Sequence, residues 1–182
     1  MQAVGFSLYM EMLERAVEAL KSGREPVLDK PVGFDAEVDL HLPAFIPEDY
    51  LPDVQARLTL YKRIASAADE AALNELQVEM IDRFGLLPAQ VKNLFRLAAL
   101  RQKARALGVV KVEAGSGGGR LEFQDQPNVD PLRIIELLQS QPRVYKLDGQ
   151  TKLRFNQQLE DPETRLQVVD ALLTRLGGRA AA

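Results

Sequence analysis

The sequence predicts an α+β fold: an N-terminal helical segment, a layer of three helices, and a small antiparallel sheet built from two β-β-α units. Three observations carry this reading. Apolar residues recur at the helical period from Asp53 to Leu107 with clear stops between segments. Residues 36–42, AEVDLHL, alternate as a strand does. After Gly108 the chain uses one pattern twice, two short strands joined by a Gly-containing turn and then a helix opened by Asp-Pro.

Ser7 to Ser22 reads as an amphipathic helix with Tyr9, Met12, Leu13, Ala16, Val17 and Leu20 on its apolar side, stopped by Gly23 and Pro26. Two prolines and a glycine leave residues 24–35 without any period, so a linker is expected there. In the strand that follows, Ala36, Val38, Leu40 and Leu42 share one face, and Glu37, Asp39 and His41 the other. Pro43 to Pro52 is a proline-punctuated connection.

The stretch Asp53 to Pro88 has the sharpest periodicity. Val54, Leu58, Tyr61 and Ala65 mark one helix face, widened by Leu60 and Ile64. Asp69 restarts the pattern as an N-cap, because its carboxylate can accept from the orphan N–H groups of a first turn. Leu73, Leu76, Met80 and Phe84 form the next apolar face, Gly85 supplies a left-handed cap, and Pro88 opens a third helix. That helix, to Leu107, is apolar around much of its circumference and so reads as central, with Lys92, Arg96, Arg101, Lys103 and Arg105 outermost. Strands at 109–114 and 120–124 flank GSGGG, and strands at 144–147 and 152–155 flank Asp148-Gly149. Helices starting at Asp130-Pro131 and Asp161-Pro162 complete the two units. The last residues, GGRAAA, offer nothing to pack and read as a disordered tail.

At about 100° per residue, Glu75, Glu79 and Asp82 fall in one stripe opposite the apolar face of their helix. Like charges at this spacing cost an isolated helix a few tenths of a kcal/mol. The stripe is either a solvated face or a surface for a basic partner.

Composition is that of a soluble globular chain, 46% hydrophobic and 27% charged over 182 residues. With no cysteine, disulfides and thiolate-bound metals are excluded, and a cytoplasmic setting is the easier fit. No apolar run approaches the roughly 20 residues of a membrane span, and the N-terminus lacks the pattern of a signal peptide. The net charge is only −3, but it is unevenly spread. Residues 1–87 hold 8 Lys+Arg against 16 Asp+Glu, a balance of −8, and residues 88–182 hold 15 against 10, a balance of +5. Two surfaces with different partners, or one half neutralising the other, would each account for this.

Catalysis finds little support. GSGGGR lacks the Lys-Ser/Thr of a phosphate loop and leads into a strand. His41 is the sole histidine and reads as an exposed strand residue without the partners of a metal or acid–base site. No cofactor and no metal are expected. The cations of the third helix, with Lys111, Arg120, Lys146, Lys152 and Arg154, could touch phosphates, but no aromatic residues interleave with them as a stacking platform requires. Nucleic-acid binding is therefore expected to be weak or absent.

Four stretches together resemble a known family: VGFSLYMEMLERAVEALKSG (4–23), AEVDLHLPAFIPEDYLPDVQARLTLYKRIASA (36–67), EMIDRFGLLP (79–88) and KLDGQTKLRF (146–155). They are similar to the C-terminal part of bacterial transcription-repair coupling factors (Mfd). The resemblance implies a parent protein that is an ATP-driven double-stranded-DNA translocase, which displaces stalled RNA polymerase and recruits the excision-repair factor UvrA. Its ATPase motifs lie upstream of this stretch, so the chain itself is expected not to be an enzyme. It further implies that residues 1–28 hold the last helix of the translocase motor, 29–35 a linker, 36–176 a C-terminal regulatory domain and 177–182 the tail. In the family that domain folds back on a UvrB-like module and masks its UvrA-binding surface. Glu79 and Asp82, with Glu75 beside them, are then the expected docking contacts. The alternative is an accessory domain contacting DNA or RNA polymerase. Cut from the motor, helix Ser7–Ser22 could also drive self-association.

Overall fold

The computed structural model describes residues 36–177. The expectations for helix Ser7–Ser22, the linker at 29–35 and the tail beyond Gly177 lie outside the described residues. In chain order the elements are β1 (Glu37–Asp39), α1 (Val54–Ser66), α2 (Glu70–Phe84), α3 (Ala89–Leu107), β2 (Val109–Gly115), β3 (Gly118–Phe123), α4 (Pro131–Ser140), β4 (Tyr145–Asp148), β5 (Lys152–Asn156) and α5 (Pro162–Leu176). The fold is α+β, with a three-helix layer and two β-β-α units as the sequence indicates.

The sheet is mixed rather than purely antiparallel. Its order is β1-β2-β3-β5-β4, and β1 adds to β2 in parallel while the other pairs are antiparallel. The reason is connectivity: α1, α2 and α3 stand between β1 and β2, and a crossover of that length returns the chain in the same direction. The leading strand is also shorter than the alternation suggests. It ends at Asp39, whose carboxylate accepts from the His41 N–H at 3.1 Å, and His41 turns to φ +53°. Leu40 stays buried, and its carbonyl accepts from Arg165, the buried charged residue among those described. Arg165 also donates to the Leu159 carbonyl, so one guanidinium ties the start of α5 to the segments after β1 and β5.

The hairpin GSGGG does more than turn. Gly115 pairs with Gly118 across the Ser116-Gly117 tip. A Cβ on Gly118 would lie 2.1 Å from the Phe155 carbonyl oxygen, and one on Gly119 2.1 Å from that of Glu113. Only glycine lets β3 lie this close to both neighbours.

Four aspartates act as helix N-caps as expected: Asp53, Asp69, Asp130 and Asp161 each accept from first-turn N–H groups. Pro88 stands at the N-cap of α3, with the helix proper starting at Ala89. Gly108 is left-handed, whereas Gly85 has φ +93° with ψ −174°, a positive-φ stop outside the left-handed helical region. In α1 the core face is set by Leu60 and Ile64 with Tyr61 beside them, while Val54 and Ala65 are exposed. The inward face is therefore rotated from the one the spacing suggested, because Tyr61 must bring its hydroxyl to the Ile46 N–H at 2.7 Å.

Two hydrophobic clusters meet along α3. Val91, Phe95 and Ala98 pack with Leu60, Ile64, Leu73, Leu76 and Met80 of the helical layer. Leu100, Ala104 and Leu107 pack with the sheet and α5. The outer cations of α3 are partly used inside the fold: Arg96 forms a two-pronged pair with Glu163, and Lys103 pairs with Asp170 on α5.

Candidate protein-docking face

Helix α2 displays the acidic stripe. Its N-cap Asp69 accepts from the Ala72 N–H at 2.8 Å, and Leu73, Leu76 and Met80 are buried beneath it, so the helix is fixed at its start and along its inner face. Gly85 at its end is held by the Tyr50 hydroxyl, which donates to the Gly85 carbonyl at 2.9 Å. The three acids project from a rigid support but do not share one environment.

Glu79 is paired internally. Arg63 of α1 donates through both terminal nitrogens, at 2.8 Å and 2.6 Å, to its two carboxylate oxygens, and Arg83 adds a third bond at 3.2 Å. The Arg63 hydrogen bond, aided by its charge and by Arg83, holds the Glu79 carboxyl down at about 2. The same contact raises Arg63. Arg83 in turn lies over the Phe84 ring at 4.9 Å. Glu75 and Asp82 differ: both are exposed, and no cation among the described residues pairs with either. The stripe is thus one internally neutralised carboxylate between two open ones.

A cleft of about 320 Å³ runs between the end of α1 and the first half of α2, lined by Arg63, Ser66, Ala67, Ala72, Glu75, Leu76 and Glu79. A shallower groove of about 700 Å³ lies where Phe45, Pro47, Glu48, Asp49 and Pro52 meet Gln90. The sequence reading missed the apolar residues beside the acids. Val78 is 59% exposed, Ile81 39% and Leu86 85%. The signal was present, since Val78 and Ile81 fall outside the arc of Leu73, Leu76, Met80 and Phe84 on a helical projection.

The cations singled out as phosphate contacts do not form an unopposed patch. On the sheet face away from the core, Arg120 pairs with Glu113 at 3.2 Å, Lys152 approaches Glu122 at 3.7 Å and Arg154 pairs with Asp148 at 3.2 Å. Lys111 lies 3.9 Å from Glu113, and Lys146 is exposed beside Arg154. The face is a ladder of mixed sign. His41 is exposed, 3.6 Å from Asp39, and no cluster of three potential metal ligands occurs among the described residues. No helix among them is long and apolar enough to cross a membrane.

Known proteins place this arrangement. Residues 40–134 match the TRCF domain family. Over all 182 residues the chain is 48% identical to the transcription-repair-coupling factor of Escherichia coli K12, and over 174 residues 49% identical to that of Haemophilus influenzae Rd. It spans only 16% and 15% of the length of those two relatives. A crystal structure titled as the C-terminal domain of transcription-repair coupling factor shares the fold, with a TM-score of 0.61 at 21% identity over 80% of this chain and 98% of that one. The chain belongs to the TRCF domain family, the C-terminal domain of bacterial transcription-repair coupling factors.

Proposed function

We propose that residues 36–176 form a non-catalytic regulatory domain that docks, through α2, on the UvrB-like module of its own parent protein and masks the surface there that binds UvrA. The parent would be a cytoplasmic ATP-dependent translocase that releases stalled RNA polymerase and recruits excision repair, with residues 1–28 as the end of its motor and 29–35 as the tether. The observation that carries the reading is the outer face of α2, where Glu75 and Asp82 stand exposed, with no cation paired to either among the described residues, on a helix capped and packed to hold them still. The family resemblance implies that the masked surface, which must also bind another protein, is basic and so complements them. Charge pairs desolvated at such an interface contribute about 1–3 kcal/mol together, and exposed ones much less. A clasp worth a few kcal/mol is what an autoinhibited protein needs, because it must also open. The ladder of mixed sign on the sheet weighs against DNA as the partner.

Calorimetric titration of this chain into the separately expressed UvrB-like module tests the reading. Docking is expected, weakened about tenfold in the Glu75→Ala, Asp82→Ala double variant, which removes the two carboxylates that Arg63 and Arg83 do not occupy, as loss of about 1.4 kcal/mol requires. Unchanged affinity in that variant would remove the acidic stripe from the interface.

A further inference from the structure

We propose that β4, the free edge of the sheet, pairs antiparallel with β4 of a second copy of this chain about a twofold axis at Leu147. The sheet order leaves β4 with a neighbour on one side only, β5. The Val144 carbonyl accepts from the Asn156 N–H at 2.8 Å, so Val144, Lys146 and Asp148 direct their backbone groups toward β5. Tyr145 and Leu147 therefore direct theirs to the open side. The Tyr145 N–H is taken by the Gln141 carbonyl at 3.0 Å, which leaves the Tyr145 carbonyl and both groups of Leu147 for a partner strand. Cover is also missing on the core side of this edge. Leu147 shares the face of Leu153 and Phe155, which are buried, yet is itself 51% exposed. Helix α4 packs on β4 but leaves Leu147 half open, and its own Leu132 and Ile135 are exposed.

Charge selects a second copy as the occupant. An exposed edge lysine ordinarily repels another strand edge. Here Lys146 and Asp148 flank Leu147 on the outer face of the sheet. In antiparallel pairing centred on Leu147, each Lys146 stands opposite the partner's Asp148. These are the non-hydrogen-bonded positions, where side chains on paired strands come closest, while the Leu147 residues exchange N–H···O bonds with each other. Within one chain Lys146 faces Arg154 directly across the ladder, a like-charge pair that an acid on the open side relieves. The other edge of the sheet lacks this symmetry. Strand β1 carries Glu37 and Asp39 around Val38, so a second β1 paired in the same way would set acid against acid. The contact uses no residue of α1 or α2, so self-pairing and docking are separable in experiment.

Sedimentation equilibrium of the chain across the micromolar range tests the pairing. An interface this small is expected to associate weakly, with a monomer–dimer midpoint on the order of 50 µM. Lys146→Glu is expected to weaken self-association about tenfold or more, because it sets acid opposite acid at both ends of the pair. Its melting temperature should not fall, since the new carboxylate faces Arg154 within the chain. Asp148→Lys is expected to weaken association to a similar extent. An equimolar mixture of the two variants should associate as tightly as wild type, because each supplies the charge that the other lacks. In the wild-type chain the Leu147 amide hydrogen is expected to exchange more slowly as concentration rises through the midpoint. A chain that stays monomeric up to about tenfold above that midpoint overturns the proposal. So does self-association that Lys146→Glu leaves intact, which would place the contact on another surface, and so does a Leu147 amide whose exchange ignores concentration.

Discussion

Glu79 shows how far a single residue can be read from its neighbours in sequence. Its place in a stripe with Glu75 and Asp82 follows from helical spacing alone, but its pairing with Arg63 crosses from one helix to the next, sixteen residues back. No local pattern records that contact. The consequence is a carboxyl that titrates near 2 rather than at its ordinary value of 4.5. Because the folded-state value is depressed, the pair's stabilising contribution is fully present above pH 4.5 and is lost as pH falls toward 2. An NMR titration of the Glu79 side chain should give a midpoint near 2 in the wild type, moving up toward 4.5 in Arg63→Gln, where Arg83 alone remains beside it. An unshifted midpoint in that variant would mean that Arg63 is not what holds the charge. Arg165 was equally hidden: nothing in TRLQ marks it as buried, since its carbonyl partners come from Leu40 and Leu159.

At the scale of elements, caps and periods were the legible part. The Asp-Pro starts of α4 and α5, the Asp69 cap of α2 and the four strands of the two hairpins stand where residue chemistry places them. Each is encoded within a few residues. The parallel pairing of β1 was not legible, because it depends on where three intervening helices deliver the chain. The GSGGG hairpin fell between the two cases: its turn was readable, but the need for glycine past the turn comes from β5 and β2 on either side. Gly119→Ala is therefore expected to cost about 2–3 kcal/mol in urea unfolding, as overpacking against backbone does. Gly117→Ala, whose new methyl would meet nothing within 4 Å, should stay within about 0.5 kcal/mol of wild type. Equal costs at the two positions would contradict the packing described for β3.

Across the whole molecule, α3 is the organising element. Its first half closes the helical core and its second half the sheet core, so α2 is carried on a layer braced by the rest of the domain. The sequence drew attention to Asp53–Pro88 for its periodicity, and the near-uniform apolarity of α3 marked it as central for the same physical reason, contact on several sides. The distribution of function was less legible. The acidic stripe could be read, but its division into one occupied and two open carboxylates exists only after folding. The masking role assigned to this face is tested most directly by competition. With the UvrB-like module immobilised, capture of UvrA is predicted to fall as this chain is added, and to be restored when the added chain carries Glu75→Ala and Asp82→Ala. Capture that stays constant across additions of the wild-type chain, under conditions where calorimetry shows it bound to the module, would contradict masking.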